Sequence, residues 1–225
     1  MIVRVKRQDN ASSESYYQEF EYRGSGTDTV SHILEMIDSE DDLRDVTGKA
    51  ASKIRWERSC LQKMCGACAM VINGRPALAC SEFVDTDNED VLLLEPLSKF
   101  PVVADLVTDR SCITEHQKEA MMYLGSRAEP DPKEHEQQYS AAKCLKCGLC
   151  LEVCPNYAGP DGRFYGAVLA NEAYLLTSSS KDRAKAIAGE YKKHFARGCS
   201  KSLACREICP AEIQTLSSIG YMNRK

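Results

Sequence analysis

Tryptophan occurs once in these 225 residues, and aromatic side chains make up 7% of the chain. No apolar run approaches the roughly 20 residues that a bilayer-spanning helix needs, which argues against a membrane span. The opening MIVRVKRQDN lacks the apolar stretch of a secretory signal, so no export signal is expected. Basic residues are not in excess: 29 Lys and Arg stand against 33 Asp and Glu, a net charge of −4. They form no block, which argues against nucleic acid as a partner. The four histidines, His32, His116, His135 and His194, show no metal-ligand spacing among themselves, and each is expected to be surface or structural. Nothing resembles a nucleophile–base pair, a phosphate loop or a flavin-binding glycine motif, so no bond chemistry is expected of this chain's own side chains.

What the chain has is cysteine, twelve in all, within a sequence whose 43% hydrophobic content is enough for a buried core. In a chain with no export signal, clustered thiols are metal ligands more often than disulfides. They fall into three groups: Cys60, Cys65, Cys68 and Cys80; Cys144, Cys147, Cys150 and Cys154; and Cys199, Cys205 and Cys209. Cys112 stands apart and reads as a small buried hydrophobe.

Around these groups the chain changes character near residues 100 to 108. Before it, IVRV and YYQEFEY read as short strands separated by the polar DNASSES. SGTDTVSHILEMIDSE reads as a helix capped by Thr27 or Asp28, with Val30, Ile33, Leu34 and Ile37 on one face. AMVING and RPALAC form a hairpin candidate around Asn73-Gly74, and DVLLLEPL is a further strand candidate. After Pro101, three stretches have helical periodicity: residues 102–124, 163–180 and 182–197. The polar SRAEPDPKEHEQQ between them, with its two prolines, reads as a surface loop. Trp56 reads as buried packing area ahead of the first thiol group.

The first group has the spacing C-x4-C-x2-C followed by a distant cysteine, the plant-type [2Fe–2S] signature. A tight loop through CGAC can wrap three sulfurs around a small cluster, Gly66 allowing close approach, while Cys80 arrives from the end of a hairpin. Zinc is the alternative, but its sites usually pair two C-x2-C motifs and one is present here. The second group, CLKCGLCLEVCP, is the C-x2-C-x2-C-x3-C-P run of bacterial ferredoxins, in which the fourth cysteine ligates the other cluster of a pair. Cys144, Cys147 and Cys150 then hold one cluster and Cys154 a second, with Pro155 turning the chain away. The third group, CSKSLACREICP, repeats the run with Ser202 in place of its second cysteine. By the crossing rule Cys209 completes a [4Fe–4S] site with Cys144, Cys147 and Cys150. That leaves Cys154, Cys199 and Cys205, three thiolates where a full cubane set has four, which points to [3Fe–4S]. Serine ligation of a fourth iron through Ser202 is the alternative.

These residues resemble the iron–sulfur subunit of succinate dehydrogenase and fumarate reductase, the complex II family. SCLQKMCGACAMVINGRPALAC is similar to that family's [2Fe–2S] loop and hairpin, PLSKFPVVADLVTD to its interdomain link, and both later runs fall at its spacing. The resemblance implies an α+β protein: a plant-ferredoxin-like β-grasp domain over residues 1–104, then an all-α helical ferredoxin domain over 105–225. It implies a flavoprotein partner carrying FAD and the dicarboxylate site, and a membrane anchor, haem-containing, where quinone reacts. The chain would then be peripheral on the cytoplasmic side of the cell membrane, relaying electrons from [2Fe–2S] to [4Fe–4S] to [3Fe–4S]. Members often carry a tryptophan pair after the second run, one of them lining the quinone site. Here Ala158 and Gly159 stand in those places, Ser200 replaces a frequent histidine, and Ala211-Glu212 replaces Lys-Gly. The ubiquinone pocket is therefore not implied, and CPNY…FYGA is more similar to members using menaquinone. Competing readings keep the relay with another enoate substrate or a thiol or soluble electron partner, or make the chain a zinc-bound adapter.

Overall fold

The computed structural model describes residues 1–129 and 131–225; Pro130, in the loop expected from sequence, lies outside the described residues. The chain divides into two compact units, Met1–Asp109 and Arg110–Lys225.

In the first unit, β1 (Ile2–Arg7) and β2 (Tyr16–Glu21) form an antiparallel hairpin, with Val3 opposite Phe20 and Val5 opposite Gln18. Alternation in IVRVKR buries Val3, Val5 and Arg7 on one face. A short β3 (Thr27–Thr29) leads into α1 (Val30–Asp38). The cap is Thr29, two residues later than one expected candidate: Thr27–Thr29 all pair with β6 (Phe83–Asp85), and the helix starts only after the last of them. The Thr29 hydroxyl accepts from the His32 N–H at 3.2 Å, and Val30, Ile33, Leu34 and Ile37 are buried as the spacing predicts. The hairpin β4 (Ala69–Ile72) and β5 (Arg75–Leu78) turns through Asn73 and Gly74, both left-handed at φ 48° and 77°. That is the geometry a two-residue turn with matching twist requires. The strand β7 (Val91–Glu95) lies between β1, which it pairs in parallel, and β4, which it pairs antiparallel, completing the order β2-β1-β7-β4-β5.

The helix expected from residue 102 does not begin there. Val102–Ala104 (β8) and Val107–Thr108 (β9) instead pair around Asp105, whose φ of 46° is left-handed. Asp105 is fully buried and pairs with the equally buried Arg7 at 3.1 Å. Its carboxylate also accepts the N–H of Gln8 and of Arg55, both at 3.0 Å. Burial alone would raise this carboxyl, but those donors and the Arg55 and Arg7 guanidiniums outweigh it, leaving it below the usual carboxylate range. These ties hold the residues after 104 to the first unit, so the division falls at Asp109.

The second unit is helical. Its elements are α2 (Cys112–Glu119), α3 (His135–Ala142), α4 (Leu149–Glu152), α5 (Gly166–Ser179), α6 (Ala184–Tyr191), α7 (Ala204–Glu207) and α8 (Thr215–Met222). α3 takes up the HEQQ end of the expected loop, and a π-helical turn, Lys192–Ala196, follows α6. α5 packs against α3, α6 and α8. Its alanines let those neighbours approach Leu169 and Tyr174, and Tyr191, Phe195 and Met222 close the core. Tyr165 lies stacked between His116 and His194, with ring centroids 3.9 and 4.0 Å away, so both histidines serve as packing. Cys112 is also buried, with its Sγ 3.5 Å from the Tyr157 hydroxyl. In the first unit Trp56 is buried beneath the Arg58 guanidinium.

Candidate metal centres

The first thiol group gathers where a loop meets the β4–β5 hairpin. Cys68 precedes β4, and the ladder continues one step past the hairpin, the Ala79 N–H donating to the Cys68 carbonyl at 3.0 Å. That register brings Cys80 beside Cys68. The N-terminus of α1 holds the same segment, its Val30 and Ser31 N–H groups donating to the carbonyls of Glu82 and Ala79, each at 3.0 Å. The loop supplies Cys60 and Cys65. Leu61, Lys63 and Gly66 are all left-handed, at φ 52°, 61° and 75°, and this alternation turns successive N–H groups inward as an anion-binding nest does. Gln62 and Met64 N–H groups donate to Cys60 Sγ at 3.4 Å, and the Lys63 N–H to Cys80 Sγ at 3.3 Å. Donation from Gln62, then Cys65 and Met64, brings the Cys60 thiol down to about 7, while burial pushes Cys68 up to about 12. Sequence reasoning found Gly66; the left-handed Leu61 and Lys63 carry no sequence signal.

The two later runs fold alike. Lys146 and Lys201 are left-handed at φ 52° and 61°, and Gly148 and Leu203, the residues opening α4 and α7, at 87° and 64°. The turns close with matching bonds, Leu151 and Arg206 N–H groups to the carbonyls of Gly148 and Leu203, each at 2.9 Å. Ser202 therefore occupies the turn position that Cys147 occupies in the other run.

Cys144, Cys147, Cys150 and Cys209 line one cavity together with Asn171, Thr215 and Val168. Cys154, Cys199 and Ser202 line another, of about 160 Å³, with Phe164, Phe195 and Leu216. Cys205 borders both cavities, and the thiols that act on it most strongly are Cys154 and Cys199, which line the second. Burial pushes up Cys144, Cys147 (to about 11), Cys150 and Cys205. Buried thiols so disposed would bind a cation as thiolates, releasing their protons to solvent as the metal takes their place. Among the described residues, no three or more His, Cys, Asp or Glu side chains converge where one ion would sit. Zinc needs all its ligands within about 2.0–2.3 Å of one centre, whereas cluster thiolates are shared out over two or more irons. Thiols ringing a cavity, with backbone N–H groups aimed at sulfur in the first unit, fit iron–sulfur clusters.

The 2Fe-2S iron-sulfur cluster binding domain family matches residues 2–115, and the 4Fe-4S dicluster domain family matches residues 140–213. A succinate dehydrogenase iron-sulfur subunit of Bacillus subtilis is 30% identical over 233 residues, covering 98% of this chain and 90% of that one. A fumarate reductase iron-sulfur subunit of Wolinella succinogenes is 26% identical over 244 residues, covering 100% and 96%. In the solved Mycobacterium smegmatis Sdh1 complex in the apo form, one chain shares this fold at a TM-score of 0.74. It is 23% identical and covers 100% of this chain and 96% of its own. A ferredoxin-type domain carrying [2Fe–2S], followed by one carrying four-iron chemistry, defines an iron–sulfur electron-transfer protein. Within that class the chain belongs to the family of succinate dehydrogenase and fumarate reductase iron–sulfur subunits, the electron relays of complex II oxidoreductases.

Proposed function

We propose that this chain passes electrons between an FAD flavoprotein and a quinone site through three clusters with unequal ligand sets. Cys60, Cys65, Cys68 and Cys80 hold [2Fe–2S]; Cys144, Cys147, Cys150 and Cys209 hold [4Fe–4S]; Cys154, Cys199 and Cys205 hold [3Fe–4S]. The observation that supports this exchange of last cysteines is that Cys209 lines the cavity of the second group and Cys154 that of the third. Ser202, in the turn position of Cys147, supports a three-iron centre, since thiolate is the usual cluster ligand. When bound, the clusters supply one-electron chemistry. The chain's own residues supply thiolates, inward N–H groups that favour the reduced state, and apolar packing that limits water.

The first unit, with its mixed sheet, α1 and the loop before β4, we assign to the β-grasp ferredoxin fold, and the second to the helical ferredoxin fold. The second cavity is bordered by Phe164, Phe195, Leu203, Leu216 and Ile219, with Leu203 and Leu216 exposed at 41% and 38%. That apolar border suits an apolar partner beside the terminal cluster. We infer a haem-containing membrane anchor using menaquinone, with this subunit peripheral on the cytoplasmic face. Among the described residues no helix is long and apolar enough to cross a membrane.

The test is Ser202→Cys, which completes the thiolate set. The oxidised-state EPR signal of a three-iron centre should disappear and a second reduced four-iron signal take its place, at a lower potential. An unchanged spectrum would mean that Ser202 does not occupy the missing-ligand position.

A further inference from the structure

Asn171 is a polar side chain in the apolar heart of α5, 5% exposed, and it lines the cavity ringed by Cys144, Cys147, Cys150 and Cys209. One end of its amide meets the Thr215 hydroxyl, Nδ2 to Oγ1, at 3.1 Å in a fully buried contact, and Thr215 lines the same cavity. The other end, Oδ1, is buried without a hydrogen-bond partner. An orphaned buried acceptor is destabilising, so something must justify the asparagine.

The two ends of an amide interchange by a half-turn about χ2, and the neighbours decide which way it points. With Nδ2 on Thr215, a carbonyl oxygen is left toward the cavity, where it would repel the electron-rich sulfurs of a cluster. After the half-turn the Thr215 hydroxyl donates to Oδ1 and the N–H donors are left for the cavity. The orphan is then satisfied and the repulsion becomes attraction. We propose that the Asn171 amide donates a hydrogen bond to a sulfur of the four-iron cluster, held in that orientation by Thr215. The bond stabilises the added negative charge of the reduced cluster and so raises its potential, one of the levers by which proteins tune such centres. This inference rests on the ligand assignment proposed above.

The test is a potentiometric EPR titration of the assembled complex, purified anaerobically. Asn171→Leu keeps the volume and removes the donor. At a fixed potential the reduced-to-oxidised ratio of the four-iron cluster should fall about tenfold, a midpoint about 59 mV lower for a one-electron couple. The other two centres should not move. Thr215→Val, which removes the orienting hydroxyl, should shift the midpoint the same way by less. An unchanged midpoint in an Asn171→Leu complex with full iron content would overturn the proposal. If that variant does not retain its cluster, the wild-type chain decides. With nitrogen-15 placed in asparagine side-chain amides, pulsed EPR of the reduced four-iron cluster should show a weak nitrogen-15 coupling. Asn171 is the asparagine bordering this cavity, so absence of that coupling overturns the hydrogen bond. A wild-type complex with no reduced four-iron signal would overturn the ligand assignment, and this proposal with it.

Discussion

Two residues far apart in function show how much of this molecule depends on single side chains. Asp105 compensates the Arg7 guanidinium in a site from which both are wholly excluded from water. Removing one member of such a pair leaves a buried charge, so Asp105→Ala should lower the stability of the full chain by about 3–5 kcal/mol, read by denaturant unfolding. The Asp105 carboxyl sits below its ordinary value of about 3.9. Its stabilising contribution is therefore complete at neutral pH and is lost as the pH falls below about 4, through the depressed folded-state value. The variant should lack that part of the acid limb. Gly166 is the second case. It is left-handed at φ 70°, and a Cβ there would overlap the Leu151 side chain, which lies within the four-cysteine run. Gly166→Ala should therefore cost both four-iron and three-iron signals in EPR while leaving [2Fe–2S] intact. Neither residue announces its role in sequence: a lone Asp in VVADLV and a Gly before an apolar run are common, and only the partner each meets gives it meaning.

At the scale of elements, the two cysteine runs make a sharper prediction. Because each run hands its last cysteine to the other's cavity, Cys154→Ala should damage the three-iron centre and spare the four-iron one. Cys209→Ala should do the reverse. If each mutation instead damages the centre of its own run, the exchange does not take place. Elements set by local chemistry were legible beforehand. Asn73-Gly74 dictates its turn, the alternation in IVRV buries Val3 and Val5, and α1's apolar spacing names its buried face. What was not legible came from tertiary context. Residues 102–108 have a helical spacing of valines, yet Asp105's buried ion pair bends them into β8 and β9. Thr29 replaces Thr27 as cap because pairing with β6 runs through all of Thr27–Thr29 and delays the helix start to Val30. The HEQQ segment reads as loop by polarity alone, yet enters α3, which packs on α5 and α8.

Across the whole molecule, the thiol spacing carried the site and the side chains around it did not. The intervals of eleven cysteines point to the three proposed centres, a signal independent of fold. The inward N–H groups of residues 62–64, the left-handed turns at Lys146 and Lys201 and the amide of Asn171 emerge only when the chain is folded. The same logic makes the account open to direct contradiction, since three sets of ligands fix how much metal the protein can carry. The decisive measurement is quantitative Mössbauer and EPR spectroscopy of the anaerobically purified complex, with iron counted per chain. About nine irons should be found, partitioned two, four and three, with the three-iron fraction paramagnetic when oxidised. Far fewer irons with zinc in their place, or two four-iron spectra and no three-iron one, would contradict the division of these thiols.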